Sequence, residues 1–312
     1  MSSERVHEFD TIIIGGGIAA LWTANELKSA GQKIALLCNG PLGDGQTLAA
    51  QGVIHGGLKY ALGGKLTDAS EELAAMPQRW SDALAGKGPV DLSTTAVLSD
   101  HQILWTLPKL VSRVAGFFGS KSVRGRSAAI PREEFPEVFA RGEYRGSLFR
   151  IEEPVVDPVS LVEALAAGVE SCSWQVEWGT SAELVAINGS VDSIRLPSEG
   201  ANVRLRADRY LLLAGSGNEA LLQQIGIESP RMQRRPLHQL IIRSQHLPDF
   251  YSVCVGTGPK PPLVSTTHTD RAGRRIWYIG GDIAEQAGVA RSEADQSRQA
   301  RLFSPSCCRG LI

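Results

Sequence analysis

Gly15-x-Gly17-x-x-Ala20 follows an apolar run, Phe9 to Ile14, and opens a stretch of helical periodicity from Ile18 to Ala30. That setting turns a common glycine pattern into one with a chemical meaning. Gly15 permits the tight turn, and Gly17 leaves bare backbone where a pyrophosphate can meet the helix N-terminus. Ala20 lets the helix lie close on the strand. The bland alternative is a glycine turn with no ligand, and the strand–turn–helix order weighs against it. Within the helix, Leu21, Ala24, Leu27 and Lys28 share a spacing, and Gly31 supplies the C-cap. A second apolar strand, Lys33 to Cys38, completes a βαβ unit, whose strands must be parallel. An acidic residue would be expected at the end of that strand to accept hydrogen bonds from an adenosine ribose. Cys38 and then Asn39 stand there instead. Loss of one charged hydrogen bond costs about 1.5 to 3 kcal/mol, or roughly tenfold to a hundredfold in affinity, and leaves Asn39 to contact the ribose.

Other residues able to do chemistry are fewer. His55 lies between Ile54 and Gly56-Gly57, where bare backbone allows a flat ligand to approach, and an imidazole there can act as a base or hydrogen-bond partner. Its bland reading is a packed loop histidine. Arg235-Pro236-Leu237-His238 leads into a strand. Arg235 has the geometry to grip a carboxylate or phosphate, and His238 to orient a substrate, against the alternative of an exposed strand entrance. His268 and Arg275, on a later hairpin, are weaker candidates. The five cysteines (Cys38, Cys172, Cys254, Cys307 and Cys308) form no C-x-x-C pair, which argues against zinc, a disulfide framework and thiol–disulfide redox chemistry. No metal-ligand cluster is present in the sequence, so no metal is expected.

These residues need a scaffold. A chain of 312 residues is long enough for two domains, and a formal net charge of −1 supplies no global field to gather nucleic acid or an anionic membrane. No apolar run reaches a spanning length or a signal-peptide core, so a cytoplasmic protein is expected, with peripheral membrane contact left open. After a glycine-rich loop, Asn39 to Gly64, helices are expected over Asp68–Leu84 and Gln102–Phe118, and a loop over Lys121–Arg126. A further helix is expected from Asp157-Pro158 to Val169. Short strands then follow at Gln175–Trp178, Glu183–Ile187, Val191–Leu196, Val203–Leu205 and Tyr210–Ala214, with Asn188-Gly189 as a hairpin turn. Gly215-Ser216-Gly217 opens a helix over Asn218–Ile225. Strands are expected at Leu237–Arg243, Leu263–Thr267 and Arg275–Ile279, the last two joined by a turn at Asp270–Gly273. Trp174, Trp178 and Trp277 read as core or sheet-edge packing.

Phe9 to Ile18 resembles the opening strand and phosphate turn of the FAD-dependent oxidoreductases grouped with D-amino-acid oxidase and flavin-linked glycerol-3-phosphate dehydrogenase. Gly52-Val53-Ile54-His55-Gly56-Gly57-Leu58-Lys59-Tyr60 is similar to the loop beside the flavin in the glycerol-3-phosphate branch. Glu153-Pro154-Val155-Val156-Asp157-Pro158 resembles the segment before that family's central helix, and Ala207 to Gly217 its later strand and second glycine turn. These four motifs stand in the family's order. The resemblance implies FAD rather than NAD, since a plain NAD dehydrogenase would continue its parallel sheet without inserting Gly40 to Gly64. Gln46 to Gly52 also resembles a loop of the fumarate reductases in which a histidine precedes the threonine and bonds to the flavin. Gln46 occupies that place and cannot do so, which implies non-covalent FAD.

The resemblance further implies an α/β fold: a discontinuous Rossmann-like FAD-binding domain (9–78 and 152–233) with an inserted antiparallel substrate-binding sheet domain (79–151 and 234–290). The cofactor-binding residues it implies are Gly15, Gly16, Gly17, Ile18, Ala19, Ala20, Cys38, Asn39, Gln46, Thr47, Gln51, Gly52, Gly56, Gly57, Leu184, Ala214, Gly215 and Gly217. The expected reaction takes hydride from a small hydroxy or amino compound, with His55, His238 and Arg235 as the candidate catalytic residues. Oxygen, a quinone or another carrier would reoxidise the flavin. An FAD-binding fragment without turnover and a nicotinamide-dependent dehydrogenase are the alternatives. A helix is expected over Ser292–Phe303, and the tail to Ile312 lacks any period. Family members close the flavin site with a later loop and helix, so the resemblance implies a C-terminal truncation, with 291–312 as helix and aberrant or disordered tail.

Overall fold

The structure, a computed structural model, describes residues 5–56, 76–106, 127–140, 144–196, 202–233, 237–256, 260–285, 292–295 and 297–298. In chain order its strands begin with β1 (Arg5–Ile14), β2 (Ile34–Cys38), β3 (Val97–Ser99), β4 (Gln102–Thr106) and β5 (Ser127–Ile130). They continue with β6 (Leu148–Ile151), β7 (Val155–Val156), β8 (Ser173–Gln175), β9 (Glu183–Ile187) and β10 (Ser190–Leu196). The last five are β11 (Val203–Leu212), β12 (Leu240–Ser244), β13 (Ser252–Val255), β14 (Val264–Thr269) and β15 (Arg275–Gly280). The α-helices are α1 (Ile18–Ser29), α2 (Met76–Leu84), α3 (Glu137–Ala140), α4 (Pro158–Val169), α5 (Asn218–Gln224) and α6 (Asp282–Glu285). The chain forms two compact units, one of Met1–Ala50, Ser81–Thr95 and Pro158–Arg234, the other of Gln51–Trp80, Ala96–Asp157 and Arg235–Ile312.

The first unit is built on a six-stranded sheet in the order β8-β2-β1-β11-β10-β9. β1 pairs in parallel with both β2 and β11, and β8 adds in parallel beyond β2. Ile12, Ile13, Ile14, Leu36 and Leu37 are all fully buried, as expected where both faces of a parallel sheet are covered. α4 packs on α1, where the Asn25 side-chain amide donates to the carbonyls of Leu21 and Leu165 at 2.8 and 2.9 Å. β10 and β9 form the expected antiparallel hairpin, with Asn188 at φ 52° and Gly189 at φ 77°. The two strands expected at Val203–Leu205 and Tyr210–Ala214 are one, β11. Its middle carries Arg204, Arg206 and Asp208, so apolar alternation fails there. Main-chain pairing with an equally polar first half of β1, Arg5 to Phe9, keeps it extended, and Asp192 lies 3.6 and 3.5 Å from the guanidinium groups of Arg204 and Arg206.

The second unit carries a seven-stranded sheet in the order β12-β15-β14-β13-β4-β6-β5 and a small pair, β3 with β7. The helix expected over Gln102–Phe118 is corrected: Gln102 to Thr106 is β4, flanked by β6 and β13, and residues 107–118 lie outside the described residues. All five residues of β4 are buried, and a strand covered on both faces has no two-residue alternation to distinguish it from a helix turn. The sheet is mixed rather than purely antiparallel, because β4 and β13 run parallel. β3, β5, β6, β7 and β13 have no counterpart among the expected elements. The loop expected at Lys121–Arg126 and most of the helix expected from Ser292 lie outside the described residues, although Ser292 Oγ accepts the Asp295 N–H at 3.1 Å.

One face of this sheet holds an aromatic core, in which Trp105 meets Phe139 and Tyr144 edge-on and Phe250 bridges Phe139 to Trp277. Of the three tryptophans expected in packing, Trp277 is in this core, whereas Trp174 lies half exposed on the edge strand β8 of the other unit, with its ring edge-on to Phe9. Trp178 is partly buried there.

The expected domain boundaries also shift. Gln51 to Gly56 falls with the second unit rather than the first, and Ser81–Thr95 with the first rather than the second. Main-chain and side-chain bonds from Gln51 to Gly56 into β7, β14 and β15 cause the first change. Leu92 N–H donation to Ala83 O holds Ser81–Thr95 together as a local turn.

Trp105 is fully buried, so Trp105→Ala should cost the second unit about 3 to 5 kcal/mol, read as a lower urea midpoint. A loss below about 1 kcal/mol would contradict the packing described. His268 is buried with its Nε2 3.0 Å from Thr266 Oγ1 and its ring against Tyr278. Burial pushes this imidazole below its ordinary value, more than the nearby Asp157 carboxylate and a Gln51 main-chain bond raise it. The unfolded chain therefore binds a proton that the folded chain resists. The resulting stability is fully present above about 6.5, the ordinary imidazole value, and is lost as pH falls through the depressed folded value. His268→Asn should flatten that acid limb in urea melts at a series of pH values.

Candidate functional site

The first unit shapes a cradle at the end of β1. Leu213 N donates to Ile14 O at 2.7 Å and Gly15 N to Leu37 O at 2.9 Å, so the turn is pinned between neighbouring strands. Gly15 has φ 144°, and a Cβ there would collide with the Leu213 carbonyl oxygen, so only glycine fits. Gly16 O accepts from Gly43 N at 2.6 Å, tying the turn to the following loop. Gly17 caps α1 in an extended conformation, contributes no side-chain cap, and is followed by a first turn without acidic residues. The positive end of α1 is therefore not neutralised by a carboxylate of its own first turn. Ile18 N–H donates to Thr47 Oγ1 at 3.0 Å, which places Thr47 beside Gly17, with Ala19 exposed and Ala20 buried. A bare glycine turn and an unopposed helix N-terminus fit the pyrophosphate of a dinucleotide.

Other residues of the expected cofactor set gather in the same unit. The second glycine turn follows β11 directly: Ala214 N donates to Asn218 Oδ1 at 2.7 Å, and Gly217 N to Ala214 O at 3.0 Å. The Asn218 side chain thus braces the turn at Ala214, a role that sequence reasoning missed. Gln46 is exposed. Leu184 packs its side chain into the core opposite Ile194, so any cofactor contact there falls to its main chain. Cys38 ends β2 with its thiol 3.5 Å from the Trp174 carbonyl, and burial pushes its pKa up. A protonated, inward-bonded thiol is a poor ribose acceptor, whereas Asn39 beside it is exposed.

The second unit holds the remainder. Gln51 Nε2 donates to Tyr278 O at 2.8 Å. Gly52 O accepts from Val156 N, Val53 bridges Val155, and Ile54 N donates to Pro154 O, so the loop is stitched to β7 along its length. Gly56 N then donates to Glu153 Oε1 at 2.9 Å, and His55 Nδ1 lies 3.2 Å from Glu153 Oε2. The Glu153 side chain is 3% exposed and that of His55 is 36% exposed, so the carboxylate is sealed while the ring is reachable. Glu153 is the other residue that sequence reasoning missed as part of the site. The available signal was an acidic pair, Glu152-Glu153, lodged between Ile151 and Pro154-Val155-Val156.

The other expected residues are not brought into this pair by any described bond. His238 has a buried Nε2 with no hydrogen-bond partner among the described residues. Arg235 and Gly57 lie outside the described residues. Arg275 pairs with Asp249 at the surface, and His268 is enclosed with Thr266 and Tyr278.

Comparison with known proteins gives these features a context. Residues 10–306 match the family described as FAD dependent oxidoreductase. A probable FAD-dependent oxidoreductase of Pseudomonas aeruginosa is 40% identical over 297 residues, covering 94% of this chain and 73% of that protein. Its crystal structure superposes with a TM-score of 0.80 and 34% identity over 99% of this chain and 75% of that one. Glycine oxidase from Geobacillus kaustophilus has a TM-score of 0.64 at 15% identity, over 98% of this chain and 79% of its own. FAD-bound L-alpha-glycerophosphate oxidase from Mycoplasma pneumoniae has a TM-score of 0.63 at 13% identity, over 98% and 80%. These last two likenesses are of fold alone. The family match decides between the dinucleotides that the first glycine turn leaves open, and the chain belongs to the FAD-dependent oxidoreductases.

Proposed function

We propose that this chain holds FAD without a covalent link and oxidises a small hydroxy or amino compound, with His55 taking the proton that the reaction releases. Bound FAD supplies the acceptor for a hydride from the carbon that bears the hydroxyl or amine. The chain's own residues do the rest. The positive end of α1 and the bare backbone at Gly15–Gly17 hold the pyrophosphate, braced by Thr47 and the second glycine turn. Asn39 takes the ribose contact in place of Cys38. Gln46, where a linking histidine would stand in the fumarate reductases, supports non-covalent binding. The domain containing β12 to β15 receives the substrate, with Arg235 and His238 orienting it.

The observation that carries the catalytic part is the His55–Glu153 pair, a reachable imidazole held by a sealed carboxylate at the end of the loop that resembles the flavin loop. As hydride leaves the substrate carbon, the hydroxyl or the neutral amine loses a proton to the imidazole, and a carbonyl or imine remains. Oxygen, a quinone or another carrier would take the two electrons onward. No described helix is long and apolar enough to cross a membrane, and a cytoplasmic setting is proposed.

Acid precipitation of the yellow holoprotein should release its flavin to the supernatant, and colour retained in the washed pellet would contradict a non-covalent link. Gly17→Val should abolish flavin binding, since even a Cβ there comes within 3.1 Å of Thr47 Oγ1 and the branched side chain would fill the phosphate space. Equilibrium titration with FAD measures this, and near-normal affinity would remove Gly17 from the cradle. Glycine, L-proline, iminodiacetate and glycerol phosphate, chosen from the substrates named for its structural neighbours, form the first anaerobic bleaching panel. With whichever compound bleaches the flavin, His55→Ala should slow reduction about a hundredfold or more. Equal rates would return His55 to a packing role.

A further inference from the structure

We infer that Glu153 is a positioning residue for the proton transfer: its buried carboxylate fixes the tautomer and orientation of the His55 ring. The inference rests on the reading of His55 as proton acceptor.

An ionised carboxylate only accepts hydrogen bonds, and one removed from water needs donors on its oxygens. Glu153 has one on each. Oε1 takes the Gly56 main-chain N–H at 2.9 Å and Oε2 faces His55 Nδ1 at 3.2 Å. Against that oxygen the neutral imidazole must carry its hydrogen on Nδ1. The lone pair then stands on Nε2, the nitrogen at the far side of the ring from Glu153. A base whose second nitrogen is held by a third group is the arrangement that activates proton transfer in many enzymes.

The backbone makes the arrangement rigid on both sides. Glu153 N donates to Ile151 O at 2.8 Å at the end of β6, and Pro154 accepts from Ile54 N at 2.9 Å. Val155 bridges Val53. The residues before and after His55 are thus tied to the residues after and at Glu153, so the two side chains meet because their main chains are laced together. A purely structural brace would need only the Gly56 bond, and the geometry uses both oxygens.

Glu153→Gln separates the two roles. The amide oxygen can still accept from Gly56, but the amide N–H2 facing His55 is a donor and calls for an acceptor at Nδ1. The ring should then carry its hydrogen on Nε2, where it cannot act as a base. The test is nitrogen NMR of the FAD-loaded protein labelled at histidine, with the His55 signals identified by their loss in His55→Gln. At a pH where the ring is neutral, wild type should show hydrogen on Nδ1 and Glu153→Gln hydrogen on Nε2. The same Gln variant should bind FAD normally yet reduce it at least about tenfold more slowly with the panel compound that bleaches wild type, the direction expected of a base in the wrong tautomer. Glu153→Asp, which keeps the charge, should retain the wild-type tautomer.

Wild-type His55 protonated on Nε2 overturns the inference whatever any variant does. So does an unchanged tautomer in Glu153→Gln, or a reversed tautomer with an unchanged reduction rate. If His55→Ala reduces flavin normally while the tautomer still reverses, the failure lies with the reading of His55 as proton acceptor, and Glu153 is then a brace without a part in the reaction.

Discussion

The burial of the second half of β1, Thr11 to Ile14, on both faces is the constraint on which the first unit depends. Ile12, Ile13 and Ile14 meet no water, so every main-chain group of that stretch must find a partner within the sheet. Parallel neighbours on each side, β2 and β11, supply those partners and bring the carboxyl ends of three strands to one edge. The chain must then leave the sheet at Gly15, under the Leu213 carbonyl, with no room for a side chain. α1 consequently begins where its free N–H groups face an open glycine turn. The glycine turn proposed to hold a phosphate is thus a by-product of closing the buried end of a strand against its neighbours.

The second unit solves a different problem. Its sheet covers an aromatic core around Trp105, and several buried polar atoms beside it answer one another. The Tyr144 hydroxyl lies within hydrogen-bond reach of Thr106 N, Thr106 O and Ser147 O, and Ser252 Oγ meets both Ser265 Oγ and Trp105 Nε1. On this support the Gln51–Gly56 loop is held by main-chain bonds to β7 and by the Gln51 amide reaching Tyr278 O. Precision at His55 comes from that stitching. A histidine on an untethered glycine-rich loop would lose far more freedom on meeting a reacting atom.

The sequence alone determined the βαβ opening, the hairpin at Asn188-Gly189, the α4 start at Pro158, the family and the two glycine turns. Each is a local rule: a period, a turn dipeptide, a φ-restricted proline or a motif whose spacing is fixed by backbone geometry. Only the tertiary structure decided that Gln102 to Thr106 is a central strand, because burial on both sides erases the pattern that distinguishes strand from helix. It alone joined the polar halves of β1 and β11, whose extended form comes from pairing partners about two hundred residues apart in the chain. It turned the Cys38 thiol away toward Trp174 O and set Glu153 against His55, ninety-eight residues distant. Residue type and spacing announce which groups are able to act. Which of them meet is set by strand pairing between remote segments, and that is a property of the folded chain.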